Sequence, residues 1–146
     1  MSATDKTSKK RGSFPIVGIG ASAGGLEAFE RFFTAMPADS GMAFVLVQHL
    51  DPTHQSLTAQ LLARRTAMPV IEVEDRMPVE ANHVYIIPPN KSLTISGSML
   101  RLSEPVLQRG MRMPIDHFLR SLAEARHEKA IGIILSVTGT DGTLGV

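Results

Sequence analysis

Short, fully apolar runs alternate with helix-length amphipathic segments along this chain, and this alternation constrains the fold more than any other feature. Three runs contain no polar side chain: residues 16–19, 43–47 and 131–135. Strands of this kind are buried on both faces, as in parallel sheets that are covered by helices. The pattern therefore predicts an α/β fold built on a doubly wound, mostly parallel, Rossmann-like sheet.

The other predicted elements complete this picture. Short apolar runs at 70–73 and 84–87 predict two more strands. Residues 92–103 instead alternate apolar with polar side chains around Gly97, which is typical of a β-hairpin and makes this stretch an excursion from the parallel sheet. Apolar side chains at helical spacing predict three helices: one that ends near Pro37, one capped by Ser56 and one that begins at Pro114.

The length of 146 residues predicts a single domain. Its formal net charge of +1 is uneven, because residues 1–12 carry +3, which leaves −2 for the remainder. The charges of this segment are Lys6, Lys9, Lys10 and Arg11 against Asp5. We therefore predict a disordered basic tail over 1–13 and a folded domain over 14–146. Residues 143–146 resemble the start of a helix that would cover the last strand, so we expect a C-terminally truncated domain.

Composition excludes several function classes. With no cysteine, the chain has no disulfide, zinc-thiolate site or cysteine nucleophile. A mildly acidic body with one tyrosine and no tryptophan offers neither a phosphate-tracking surface nor a base-stacking platform, so no nucleic-acid binding is predicted. No apolar run approaches the ~18 residues of a membrane span. The early apolar stretch is interrupted by Pro15, Gly18 and Gly20, unlike a secretory signal. A cytoplasmic protein without membrane insertion is predicted.

A glycine-rich segment follows the first predicted strand. The spacing Gly20-x-Ser22-x-Gly24 matches a nucleophile elbow, in which small neighbours allow the sharp turn that exposes a serine oxygen at a helix N-terminus. The same segment approximates a dinucleotide phosphate loop through Gly18, Gly20 and Gly24. It also fits a turn in which Ser22 only caps the helix. This motif alone leaves the three interpretations open.

Two further segments carry chemistry at strand ends. His49 follows the second predicted strand, and Asp141 lies in the glycine-rich loop after the last one. The carboxyl ends of parallel strands line one crevice, so a serine nucleophile, its histidine base and an acid that orients the histidine could meet there. Asp51 is the acid that a dinucleotide site would use instead. Three strand ends bearing Ser22, His49 and Asp141 favour a catalytic triad.

These segments resemble a known family. Residues 18–27 (Gly-Ile-Gly-Ala-Ser-Ala-Gly-Gly-Leu-Glu), 47–49 (Val-Gln-His) and 138–142 (Thr-Gly-Thr-Asp-Gly) are similar to the three signature segments of the chemotaxis protein-glutamate methylesterase catalytic domain. Residues 82–89 and 114–116 also resemble that family. The resemblance runs from about residue 14 to the end and implies a doubly wound α/β hydrolase whose triad maps onto Ser22, His49 and Asp141.

The resemblance also implies substrate and partners. The substrates would be glutamyl methyl esters of methyl-accepting chemotaxis receptors, hydrolysed to glutamate and methanol, with deamidation of receptor glutamines as a second reaction. Stand-alone members of the family carry a receiver domain before this one, and here only a short basic tail precedes it. The chain therefore looks like the first part of a fusion with a methyltransferase. A non-catalytic receptor-binding or regulatory module and a dinucleotide-binding domain remain the alternatives.

No metal or cofactor is predicted. The remaining histidines lack the short regular spacing of zinc ligands. They are His54, His83, His117 and His127. Hydrolysis by a serine, a histidine and an aspartate requires neither a metal nor a cofactor.

Overall fold

The computed structural model describes residues 14–21, 25–48, 58–105 and 114–135. In chain order its elements are β1 (Ile16–Ala21), α1 (Leu26–Ala35), β2 (Ala43–Gln48), α2 (Thr58–Ala63), β3 (Val70–Glu72), β4 (Met77–Pro78), β5 (Val84–Ile86), β6 (Ser92–Ser96), β7 (Met99–Ser103), α3 (Pro114–Arg126), a 3-10 turn (His127–Lys129) and β8 (Ala130–Ile134). The predicted basic tail, the Ser56 cap and the last residues of the chain lie outside the described residues.

The main sheet is parallel and has the order β3-β5-β2-β1-β8. All side chains of β1, β2 and β5 are buried, as expected for strands that are covered on both faces. Helices α1 and α2 contribute to the core on one face, and α3 contributes to the core on the other. The predicted doubly wound α/β fold is therefore confirmed.

The predicted hairpin is also present, in a second, antiparallel sheet with the order β4-β7-β6. Strands β6 and β7 are joined through Gly97, whose φ of +61° lies in the left-handed region that glycine adopts without strain. Leu93, Ile95 and Leu100 point into the core shared with α3. Strand β4 was not predicted, because two residues that include Pro78 carry no periodicity.

The two faces of the main sheet are packed by different means. On the α1 side, aromatic rings fill the space, with Phe33 and Phe44 edge-to-face at 5.3 Å between ring centroids. On the α3 side, β1 presents Gly18 and Gly20 to large helix side chains. The absence of side chains at these two positions lets α3 pack closely against β1.

Candidate active site

The three strands that precede the predicted catalytic residues lie side by side in the main sheet, with β1 between β2 and β8. Strand β1 pairs in parallel with β2 on one side and with β8 on the other. Ala21, the last residue of β1, is opposite Gln48, the last residue of β2, and Gly20 is opposite Ile134, the last residue of β8. The three strands therefore end at one level on the carboxyl edge of the sheet.

The predicted triad residues follow these ends in the sequence. Ser22 is the residue after β1, His49 is the residue after β2, and Asp141 is the seventh residue after Ile134, the last residue of β8. All three lie outside the described residues, so their contacts remain a prediction. What the structure describes is the three parallel, adjacent strands that precede them: β1 and β2 are buried, whereas β8 is partly exposed and does not show the burial on both faces that its apolar sequence predicted.

Glycine is found at positions 18 and 20 because side chains of α3 pack against β1 there. A Cβ at Gly20 would stand 2.4 Å from Cγ2 of Ile115, and a Cβ at Gly18 would stand 2.8 Å from Cδ2 of Leu119. Both distances are shorter than real carbon contacts, so a larger residue fits only if the Ile115 or Leu119 side chain, or α3 itself, moves. Close packing of this helix on β1 therefore requires glycine at both positions.

This finding weakens the dinucleotide interpretation. A phosphate loop needs its glycines in the turn after the strand, where backbone amides face the ligand. Gly18 and Gly20 instead lie inside β1, buried beneath α3 and paired with both neighbouring strands. Only Gly24 of that pattern follows the strand, and it lies outside the described residues.

Helix α3 runs antiparallel to β1 and brings its N-terminus to the carboxyl edge. Ile115 in its first turn covers Gly20 near the end of β1, whereas Arg126 in its last turn contacts Phe14 before the start of β1. The positive end of the helix dipole therefore lies beside the strand that leads to Ser22. Asp116, 4% exposed, occupies the same turn, where a carboxylate is favoured.

A buried polar pair marks the end of β2. Gln48 and Thr58 are each only 5% exposed, and the Thr58 hydroxyl donates a hydrogen bond of 3.1 Å to Oε1 of Gln48. Neither residue was predicted to have a role of its own. The available signal was a glutamine at the end of an otherwise apolar strand.

The shifted pKa values among the described residues belong to groups away from the ends of β1, β2 and β8. Burial raises the pKa of the Tyr85 phenol, whose oxygen accepts the Glu80 N–H, and burial lowers the pKa of Arg126 at the far end of α3. The N–H of Leu102 lowers the pKa of Asp75 in the turn between β3 and β4. The described part of the carboxyl edge therefore supplies scaffold and helix dipole.

The described residues contain neither a metal-type cluster of side chains nor a membrane-spanning helix. No three histidine, aspartate or glutamate side chains cluster there as metal ligands would. No helix within the described segments is long and apolar enough to cross a membrane.

Known proteins are similar to this chain over most of its length. The family model described as CheB methylesterase matches residues 17–146. The crystal structure of the Thermotoga maritima CheB methylesterase catalytic domain has a similar fold, with a TM-score of 0.79 and 30% sequence identity, covering 91% of this chain and 72% of that one.

Two curated relatives illustrate the range of similar proteins. A protein-glutamate methylesterase/protein-glutamine glutaminase of Hydrogenovibrio crunogenus is 31% identical over 92% of this chain and 36% of its own length. An uncharacterized 104.1 kDa protein of Rhodobacter capsulatus is 47% identical over 60% of this chain and 9% of its own length. This chain thus spans well under half the length of either relative.

Proposed function

The chain belongs to the CheB methylesterase family, and from that premise we propose that it is a serine hydrolase that cleaves glutamyl methyl esters of chemotaxis receptors to glutamate and methanol. One observation carries the proposal. The strands that lead to Ser22, His49 and Asp141 are the three adjacent parallel strands β1, β2 and β8, which end at one level. Residues that follow such ends are within reach of one another.

The proposed reaction is a two-step acyl transfer. Oγ of Ser22 attacks the ester carbonyl carbon while His49 takes the hydroxyl proton, and backbone amides near Ala23 and Thr138 stabilise the oxyanion. The C–O bond to methanol then breaks, and His49 returns the proton to the departing oxygen. Water, deprotonated by His49, releases the glutamate and regenerates Ser22. Asp141 stays ionised and stabilises the imidazolium.

Deamidation of receptor glutamines fits the same site. An amide carbonyl presents the same electrophile as an ester, and ammonia replaces methanol as the leaving group. The printed names of similar proteins couple the two activities, as in the Hydrogenovibrio crunogenus relative. We therefore include glutamine deamidation in the proposal.

The proposal extends to organisation and location. Residues 14–146 would form the methylesterase-type catalytic domain behind a basic tail over 1–13, in a cytoplasmic protein that meets the cytoplasmic parts of its receptors. A fusion with a methyltransferase domain is proposed as well. The similarity to 9% of a 104.1 kDa protein supports the use of this domain within larger chains.

The test is methanol release from methylated receptor by the purified protein. Ser22→Ala should lower turnover by on the order of 10⁶, because the nucleophile is lost. Ser96→Ala, which changes an exposed serine on the hairpin, should turn over normally. Full activity in folded Ser22→Ala protein would refute the nucleophile. Receptor binding without any turnover in the unaltered protein would favour a non-catalytic module instead.

A further inference from the structure

Strand β2 ends in a buried polar residue, which the packing of the core does not require. Its first five residues are apolar and buried, and its sixth, Gln48, is polar and equally buried. Phe44 and Leu46 lie in the core on the α1 and α2 side, and Gln48 continues that face because strand side chains alternate. Its partner, Thr58, is the first residue of α2.

A buried hydrogen-bonded pair is an unfavourable choice for core filling alone. Moving an amide and a hydroxyl out of water costs free energy that their mutual hydrogen bond only offsets. A pair of apolar side chains of similar size would fill the same space without that cost. Unlike an apolar pair, the polar pair fixes the orientation of both side chains, because a hydrogen bond is directional.

The two residues flank the segment that carries the predicted base. Residues 49–57 connect Gln48 to Thr58, and His49 is bonded directly to Gln48. On its other side, Gln48 is the register partner of Ala21, the residue before Ser22. Any displacement of Gln48 therefore changes the starting point of His49 relative to that of Ser22.

We propose that the hydrogen bond between Gln48 and Thr58 is a positioning device for the general base His49. This inference rests on the proposed function. The bond joins the end of β2 to the start of α2 and so fixes both ends of the intervening segment. Neither residue touches substrate; both act through the direction in which the chain leaves β2 towards His49.

Isosteric substitutions test the proposal. Thr58→Val removes the donor and keeps the shape, whereas Thr58→Ser keeps the donor, and Gln48→Met removes the acceptor. Thr34→Val is the matched control, because the Thr34 hydroxyl donates only to the Glu30 carbonyl on an exposed helix face. Methanol release, circular dichroism and the pH profile of kcat/KM would be measured for each variant.

We expect kcat to fall roughly 10- to 100-fold in Thr58→Val and in Gln48→Met with little change in KM, since small misplacements of a catalytic group cost about that much. The double variant should be no slower than the slower single variant, because each single change already removes the bond that is proposed to position His49. The acidic limb of kcat/KM should move to lower pH, since an imidazole displaced from Asp141 loses the charge that favours its protonated form. Thr58→Ser and Thr34→Val should match the unaltered protein.

The outcomes separate this inference from the proposed function. An active protein that Ser22→Ala inactivates, with Thr58→Val equal to Thr58→Ser in kcat and pH profile, overturns the positioning role alone. Unfolding of both Thr58→Val and Gln48→Met overturns it too, because the pair then supports the fold. A protein that releases no methanol, and whose Ser22 does not react with a fluorophosphonate, refutes the proposed function. If Ser22 does react, the rate of that labelling in the same variants decides the positioning role.

Discussion

Polar side chains serve different purposes at the two edges of the main sheet: the amino edge, where the parallel strands begin, and the carboxyl edge, where they end. On the amino edge, described side chains connect the beginnings of strands: Oδ1 of Asn82 accepts the N–H of Gly41, and Arg126 donates to the carbonyl of Phe14 while its guanidinium stacks on the Phe14 ring. On the carboxyl edge, the Gln48–Thr58 pair lies at the point where the chain turns towards His49. The described contacts of the amino edge join segments to each other, and those of the carboxyl edge lie where we propose that the segments carrying chemistry are oriented.

This difference predicts that substitutions at one edge affect mainly activity and that substitutions at the other affect mainly stability. Changes at the carboxyl ends of β2, β1 and β8 that disturb the proposed triad should alter turnover with little loss of fold, and changes at the amino edge should do the reverse. Buried contacts between them, such as those of α3 on β1, should alter both. Each prediction below tests one part of that division.

The largest effect is expected at Asp141. Asp141→Asn should reduce turnover by roughly 10⁴ if the residue behaves like the acid of a serine protease triad, because asparagine favours the wrong imidazole tautomer. The fold should be kept, since a glycine-flanked loop retains most of its hydrogen bonds with an amide. Methanol release and circular dichroism, measured together, check both expectations.

Asp51→Asn is the control for that prediction. Asp51 is the acid that a dinucleotide site would use, and its loss should leave ester hydrolysis unchanged. If Asp51→Asn loses ester hydrolysis and Asp141→Asn keeps it, Asp141 is not a member of the triad.

The contact between β1 and α3 should give the next largest effect. Gly20→Ala places a Cβ 2.4 Å from Cγ2 of Ile115, so the Ile115 side chain or the helix that carries it must shift. We expect a loss of about 1–3 kcal/mol in the free energy of unfolding, the usual cost of overpacking, together with reduced turnover, because β1 leads to Ser22. Urea denaturation and methanol release provide the two measurements.

Removing the obstructing side chain should relieve this strain. The double variant Gly20→Ala/Ile115→Ala should be more stable than the sum of the two single effects predicts, because the new methyl group occupies space that Ile115 vacates. Strict additivity would show that Gly20 is needed for a reason other than this contact.

Gly20 also illustrates which parts of the fold the sequence could predict. Strands β1 and β2, helix α3 and the hairpin at Gly97 follow from local periodicity and turn chemistry, and they were predicted. The packing role of Gly18 and Gly20 was not, because it depends on which helix covers β1. Strand β4 was missed for a similar reason, since Met77 and Pro78 form a strand only by pairing with distant β7.

The site also has parts that the sequence could predict and parts that depend on the folded structure. The sequence predicted that Ser22, His49 and Asp141 follow strand ends, and the strand order brings those ends together. The triad itself lies outside the described residues and remains a prediction. The Gln48–Thr58 bond could not be predicted, because it joins residues ten positions apart whose meeting depends on the segment between them.

On the amino edge, Asn82 offers a smaller effect on stability alone. Asn82 has a φ of +63°, and its side chain accepts the N–H of Gly41 at 2.7 Å. Asn82→Gly should lose only the hydrogen bond, about 1 kcal/mol. Asn82→Ala should lose that bond and add strain of about 1 kcal/mol from the left-handed backbone. Both variants should keep kcat, and an activity loss with unchanged stability would contradict the division between edges.

The smallest effect is expected at Asp75, which tests whether position on the carboxyl side is sufficient for a role in activity. Asp75 follows β3, which β5 and β2 separate from β1, and its carboxylate accepts the N–H of Leu102 and pairs with Arg101 at 3.4 Å. These contacts hold the pKa of Asp75 below its ordinary value of 3.8, with the Leu102 hydrogen bond as the main cause. A lowered pKa in the folded protein gives stability that is present above pH 3.8 and is lost as the pH falls through the folded value. Asp75→Asn should therefore be slightly less stable than the unaltered protein at neutral pH, and the gap should close in acid, while turnover stays normal. Urea denaturation at neutral pH and well below pH 3.8 measures the gap. A large loss of turnover in Asp75→Asn would show that the functional edge extends out to the hairpin and is not confined to β2, β1 and β8.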